Sequence, residues 1–264
     1  MFDKIHHWFR TYTASFLNDD TNYSLAIQTK IDHSLRTADL TADIAFHENL
    51  SPEEIEIARI TGLLHDIGRF EQYRKFHTFS DHKSVNHGRL GADILIQNNC
   101  LSDLNPRHQT KILKGVQYHN CCDLPADESP DILALLRIIR DADKIDILDL
   151  TTNCFYQKGS GGHNPMLDLD IREYNTINDC IFNRITAGKQ ALMKDVQTLN
   201  DFKALQMSWI FDVNYKRSFD IMEKRQALRQ IYETMPADDS RARAVYDSTC
   251  FYLEQHLQTA TPLS

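Results

Sequence analysis

An all-α fold is predicted for this chain of 264 residues by three observations. Apolar residues recur at three- and four-residue steps along nearly the whole length, prolines (seven) and glycines (nine) are few, and alternating strand-like runs are almost absent. Hydrophobic residues make up 42%, enough for a packed core. Length alone does not separate one domain from two. The uniform helical patterning reads as a single all-α domain over 1–264, with a core at about 24–150 and a helical extension over 151–264.

Taken in order, Ile5, Trp8, Phe9, Tyr12 and Phe16 predict an amphipathic helix packed on the body. Ile27, Ile31, Leu35, Ala38, Ala42 and Ala45 mark the buried stripe of a second helix, with His33 toward the edge of that stripe. Ser51-Pro52-Glu53-Glu54 opens a third helix with an N-cap, a proline in the first turn and acids near the positive end of the helix dipole. That helix runs through Ile57, Ile60, Leu63 and Leu64 into His65-Asp66, and Gly68 is placed to end it. His87 precedes Leu90, Ile94 and Leu95, with Gly91 and Ala92 small enough to admit a close neighbour. Ile112 and Val116 lead to His119, and Leu-Arg-Ile-Ile-Arg-Asp-Ala leads to Asp143-Lys144-Ile-Asp146. The glycine cluster Lys158 to Pro165 interrupts the helices and reads as a linker, with a lid as the alternative. Beyond it Phe211, Tyr215, Phe219, Met222 and Leu228 predict packed helices, and Met235 to Ser240 a loop before the last one.

His33, His65, Asp66, His87, His119 and Asp143 supply imidazole and carboxylate groups in the number and kind that a pair of metal ions needs. A buried aspartate is costly unless it is paired or coordinated. With two oxygens, Asp66 is the group able to bridge two ions. His77 and His82, on a polar loop between the pair and His87, read as surface histidines, with substrate contact as the alternative.

Gly-Leu-Leu-His65-Asp66-Ile-Gly-Arg69, the earlier His33 and the later Arg-Asp-Ala-Asp143-Lys144 together resemble the HD superfamily of metal-dependent phosphohydrolases. The resemblance covers about half the chain. Its minimal members use the first histidine, the His-Asp pair and the last aspartate. The positions of His87 and His119 are similar to those of the six-ligand members, which implies two divalent metal ions, with iron, manganese, zinc, magnesium and nickel all open. The implied activity is hydrolysis of a small nucleotide or phosphate ester by a metal-bridging hydroxide, water's pKa falling from about 15.7 toward about 7. Arg69 and Lys144 are the candidate phosphate contacts; an Arg69 guanidinium grips phosphate with parallel hydrogen bonds. Some members of this fold instead hold a mixed-valence pair of irons and oxygenate small polyols or phosphonates, and that is the alternative. Cys121-Cys122-Asp123-Leu124-Pro125 stands where cyclic-dinucleotide hydrolases carry glycine-tyrosine-proline, so the resemblance does not extend to that specificity.

A net charge of −8 without a basic block argues against long nucleic acid and anionic membranes, and leaves a small phosphorylated substrate as the expected partner. The six cysteines show no paired spacing, no apolar leader opens the chain, and no stretch is long enough to span a membrane. A cytoplasmic location is the expectation.

Overall fold

A computed structural model describes residues 1–155 and 176–258, and among these residues helices alternate with short loops and no strand occurs. The glycine cluster Lys158 to Pro165, with His163, lies outside the described residues. Contacts group the described chain into two compact units that divide between Asp146 and Ile147.

Seven helices build the first unit: α1 (Phe2–Ala14), α2 (Thr21–His47), α3 (Pro52–Leu64), α4 (Ile67–Phe76), α5 (His87–Gln97), α6 (Pro106–Tyr118) and α7 (Pro130–Leu150), the last running across the boundary. Helix α3 is its centre, packing against α1, α2 and α6. It begins where the sequence places it, with Ser51 as N-cap and Glu54 completing a reciprocal capping box. A Cβ on Gly62 would lie 2.5 Å from the Thr41 hydroxyl, so a glycine there is what lets α2 approach. On α1, Ile5 and Phe9 are buried as predicted, and Phe9 meets the Phe70 ring edge-on at 6.1 Å.

Two local readings are corrected. The buried face of α2 is rotated from the predicted stripe: Ile31, Leu35 and Ala42 are half-buried, whereas Lys30, His33, Ser34, Thr37 and Thr41 are buried. His33 therefore sits within the buried face, fully enclosed, because Asp146 receives its ring nitrogen in the interior and Lys30 beside it meets Asp66 there. Gly68 does not end α3. The chain turns at Asp66, and Gly68 lies inside α4, where a Cβ would be 2.2 Å from the His87 carbonyl oxygen. Its absent side chain is required for the contact between α4 and α5.

The second unit contains α8 (Asp179–Thr186), α9 (Leu199–Ser208), α10 (Lys216–Lys224), α11 (Ala227–Tyr232) and α12 (Ser240–Gln258), with α12 packed against the other four. Phe219, Met222 and Leu228 are core as predicted. The fully buried Asp201 accepts from the backbone amides of Asn178, Gln197 and Thr198 at 2.8, 3.1 and 3.0 Å, which fastens α9 to the loop before α8. Lys203 donates to the Thr234 carbonyl at 2.9 Å, and burial pulls its ammonium down to about 8. Between about pH 8 and 10.4 the unfolded chain then binds more protons at this residue than the folded one, so the Lys203 contribution to stability rises with pH across that window. The urea midpoint of the parent relative to that of Lys203→Met is expected to rise from pH 7 through 9 to 10. An identical slope in the variant would discard this account.

Candidate metal centre

Five segments of the first unit bring all six predicted ligands together. His33 lies on α2, His65 and Asp66 at the turn from α3 to α4, His87 at the start of α5, His119 at the C-cap of α6 and Asp143 on α7. His33 and His65 are fully enclosed, Asp66, His87 and His119 are at most 5% exposed, and the Asp143 side chain is 22% exposed. Asp143 therefore marks the side on which the cluster meets solvent.

Every histidine is held by its Nδ1. His65 donates to the Gly62 carbonyl at 2.7 Å and His119 to the Val116 carbonyl at 2.8 Å, each one turn back along its own helix. His33 donates to Asp146 at 2.7 Å, and His87 to Asp81 at 2.8 Å. All four partners are pure acceptors, which assigns the proton to Nδ1 and leaves a lone pair on each Nε2 of the neutral rings. The Nε2 atoms of His33 and His65 are 3.2 Å apart, and those of His87 and His119 are 3.0 Å apart. Lone pairs that close repel unless a cation lies among them.

The two histidine pairs form two lobes, and Asp66 lies between them. Its Oδ2 is 3.6 Å from His33 Nε2 and 3.7 Å from His65 Nε2; its Oδ1 is 3.3 Å from His87 Nε2 and 3.7 Å from His119 Nε2. Asp143 Oδ1 joins the first lobe at 3.1 and 3.5 Å from the same two nitrogens, buried and without a hydrogen-bond partner. His33, His65 and Asp143, and likewise His65, Asp66 and His119, present ligand atoms within 4.8 Å of one another. Borderline imidazole nitrogens mixed with hard carboxylate oxygens, preset by their outer hydrogen bonds, fit divalent cations.

Burial pushes the Asp66 carboxyl up, but the Lys30 ammonium and the neighbouring imidazoles hold it well below the usual carboxylate range. Asp143 is held down in the same way by His33 and His65 against the effect of burial. Burial and Lys30 pull His33 down, yet Asp143 and Asp146 more than offset them and its pKa is raised. His87 is lowered by burial and by Arg69.

Sequence reasoning missed three supports. Lys30, one turn before His33, is buried with its Nζ 2.7 Å from Asp66 Oδ2. A lysine in register with the buried residues Ile27 and Ser34 was the available signal. Asp146 takes the far edge of the His33 ring and is clamped by Arg36 Nε and Nη2 at 2.6 and 2.9 Å. Three residues apart on α7, Asp143 and Asp146 thus grip opposite edges of one imidazole. Asp81 orients His87 and draws in Arg69, Gln72 and Asn120.

Arg69, one of the two candidate phosphate contacts, is already bonded within the protein. It sits on α4 beside the cluster, its Nε 3.4 Å from Asp66 Oδ1, while its Nη1 donates to Gln72, to Asp81 and to the Phe79 carbonyl. Lys144 is buried on α7, adjacent in sequence to Asp143 and about 100° around the helix from it. His77 and His82 are exposed. The described cysteines Cys100, Cys121, Cys122, Cys180 and Cys250 are free thiols, and no described helix is long and apolar enough to cross a membrane.

Compared with known families, residues 31–148 match the HD domain, and this span contains all six ligands and most of their supports. No curated protein and no solved structure matches the chain.

Proposed function

With residues 31–148 forming an HD domain, we propose that this protein is a divalent-metal-dependent phosphohydrolase acting on a small nucleotide or phosphate ester. The observation that carries the reading is the division of the Asp66 oxygens between two histidine lobes whose lone pairs face each other. His33, His65, Asp143 and Asp66 would hold one ion, and His87, His119 and Asp66 a second. Such ions supply Lewis acidity and a water that ionises near neutral pH.

The protein contributes position and charge. Lys30 holds Asp66 ionised and in place, and Asp146 and Asp81 keep the His33 and His87 rings turned so that Nε2 faces inward. Substrate arrives on the Asp143 side, and Arg69 stands next to Asp66 with a guanidinium suited to phosphate oxygens. Lys144 is the second cation assigned to the phosphate. Arg69→Ala is expected to raise KM for the substrate before it lowers ion content, as Asp81 keeps its bonds from Gln72 and Asn120. An unchanged KM would remove Arg69 from substrate binding.

The deciding experiment is elemental analysis of protein purified without added metal, paired with phosphate release from a panel of nucleotides and phosphate esters. Two divalent ions per chain with phosphate release is the expected result. Two irons with oxygen uptake on polyols or phosphonates and no phosphate release would overturn it in favour of an oxygenase.

A further inference from the structure

The two histidine lobes are built alike. His33 and His65 are 32 residues apart, and so are His87 and His119. The same shift of 54 positions (33 to 87, 65 to 119) carries Ala38-Asp39 onto Ala92-Asp93 and Leu50-Ser51-Pro52 onto Leu104-Asn105-Pro106. Few other residues coincide, so sequence alone would be weak support. The structure adds what the sequence lacks. Helices α3 and α6 each have 13 residues, an N-cap side chain that accepts from the third amide, a proline in the first turn, and a histidine at the C-cap bonded through Nδ1 to the carbonyl three residues back. On α2, His33, Ser34, Thr37, Ala38, Leu40 and Thr41 are buried, and so are all six residues 54 positions further on.

Equivalent residues also touch one another. A Cβ on Gly115 would lie 2.5 Å from Thr61 Cγ2, its own counterpart, and the rings of His65 and His119 are 5.0 Å apart. Contact between like positions is what a two-fold axis produces. One exchange breaks the equivalence at the centre: Asp66 of the first copy corresponds to Asn120 of the second. Asn120 Nδ2 donates to Asp81 Oδ2 at 3.0 Å, and its Oδ1 packs against Gly88.

We infer that residues 33–66 and 87–120 are two copies of one ligand-bearing helical unit set about a local two-fold axis, and that Asn120 is the positioning residue of the second lobe. It fixes the Asp81 carboxylate that orients His87, and its neutrality leaves Asp66 as the single carboxylate that both lobes share. A carboxylate at position 120 would face Asp81 at hydrogen-bonding distance, and two like charges there drive the orienting group away from His87.

This inference rests on the reading that the cluster binds divalent ions, and the test separates the two. Cobalt(II) is titrated into the metal-free chain, with the visible absorption bands and the ions retained after desalting as readouts, and circular dichroism as the check on folding. The parent is expected to take up two ions. Asn120→Asp is expected to keep the first and to weaken the second about 10–100-fold, with Asn120→Ala weakening it in the same direction but less. Two ions bound by Asn120→Asp as tightly as by the parent, or more tightly, would overturn the inference while sparing the metal-binding reading. A parent that binds none overturns both. If Asn120→Asp does not fold, Asn120→Ala carries the test, and an unchanged second affinity in that variant overturns the positioning role.

Discussion

Asp66→Ala is expected to abolish turnover and to strip ions from both lobes at once, because one oxygen serves each lobe. It should also cost stability in the metal-free chain. The Lys30 ammonium, with its side chain 7% exposed, loses the carboxylate it bonds at 2.7 Å, and orphaning one partner of a buried pair costs about 3–5 kcal/mol. Lys30→Met on top of Asp66→Ala then recovers much of that stability and none of the ion binding. Chemical denaturation of the two single variants and the double variant, with ion content measured on each, checks both halves. An Asp66→Ala chain with full ion loading and the parental rate would remove the bridging role; additive stability losses would remove the pairing with Lys30.

Gly68→Ala is expected to produce the second large effect, and from a single methyl group. The added carbon would sit 2.2 Å from the His87 carbonyl oxygen and 2.7 Å from the Gly91 amide nitrogen, and neither is a side chain that can swing aside. Helix α5 must move off α4, which costs about 1–3 kcal/mol in packing and carries His87 away from His119. A drop in thermal midpoint accompanied by loss of one ion per chain is the expected result. A variant as stable as the parent with both ions in place would show that the two helices have slack that the distances deny.

The all-α class and the start of α3 were legible because each rests on local chemistry: helical spacing, a cap and a first-turn proline. The six ligand candidates were legible because histidines and aspartates next to apolar runs are conspicuous. The supports were not. Lys30 has the composition of a solvated helix position, and only the fold shows that Asp66 of another helix meets it. Asp81 lies in a loop that drew notice for His77 and His82, both exposed, while the acid between them orients a ligand. Gly68 was read as a helix stop because glycine ends helices from within one segment, whereas here its partner is 19 positions along, at His87. Long-range partners of this kind have no local signature.

The ends of α3 and α6 both face the cluster, since His65 and His119 are their C-caps. A helix C-terminus carries about half a negative charge and an N-terminus about half a positive one, and α4 and α5 open at the same cluster, at Asp66 and His87, so the four ends offset one another. Lys30 and Arg69 likewise set two cationic groups beside the carboxylates of Asp66 and Asp143. The protein's own charges about the cluster thus come close to balancing, so the positive field that draws in a phosphate ester comes from the ions themselves, and the ester's affinity follows how many of them have entered.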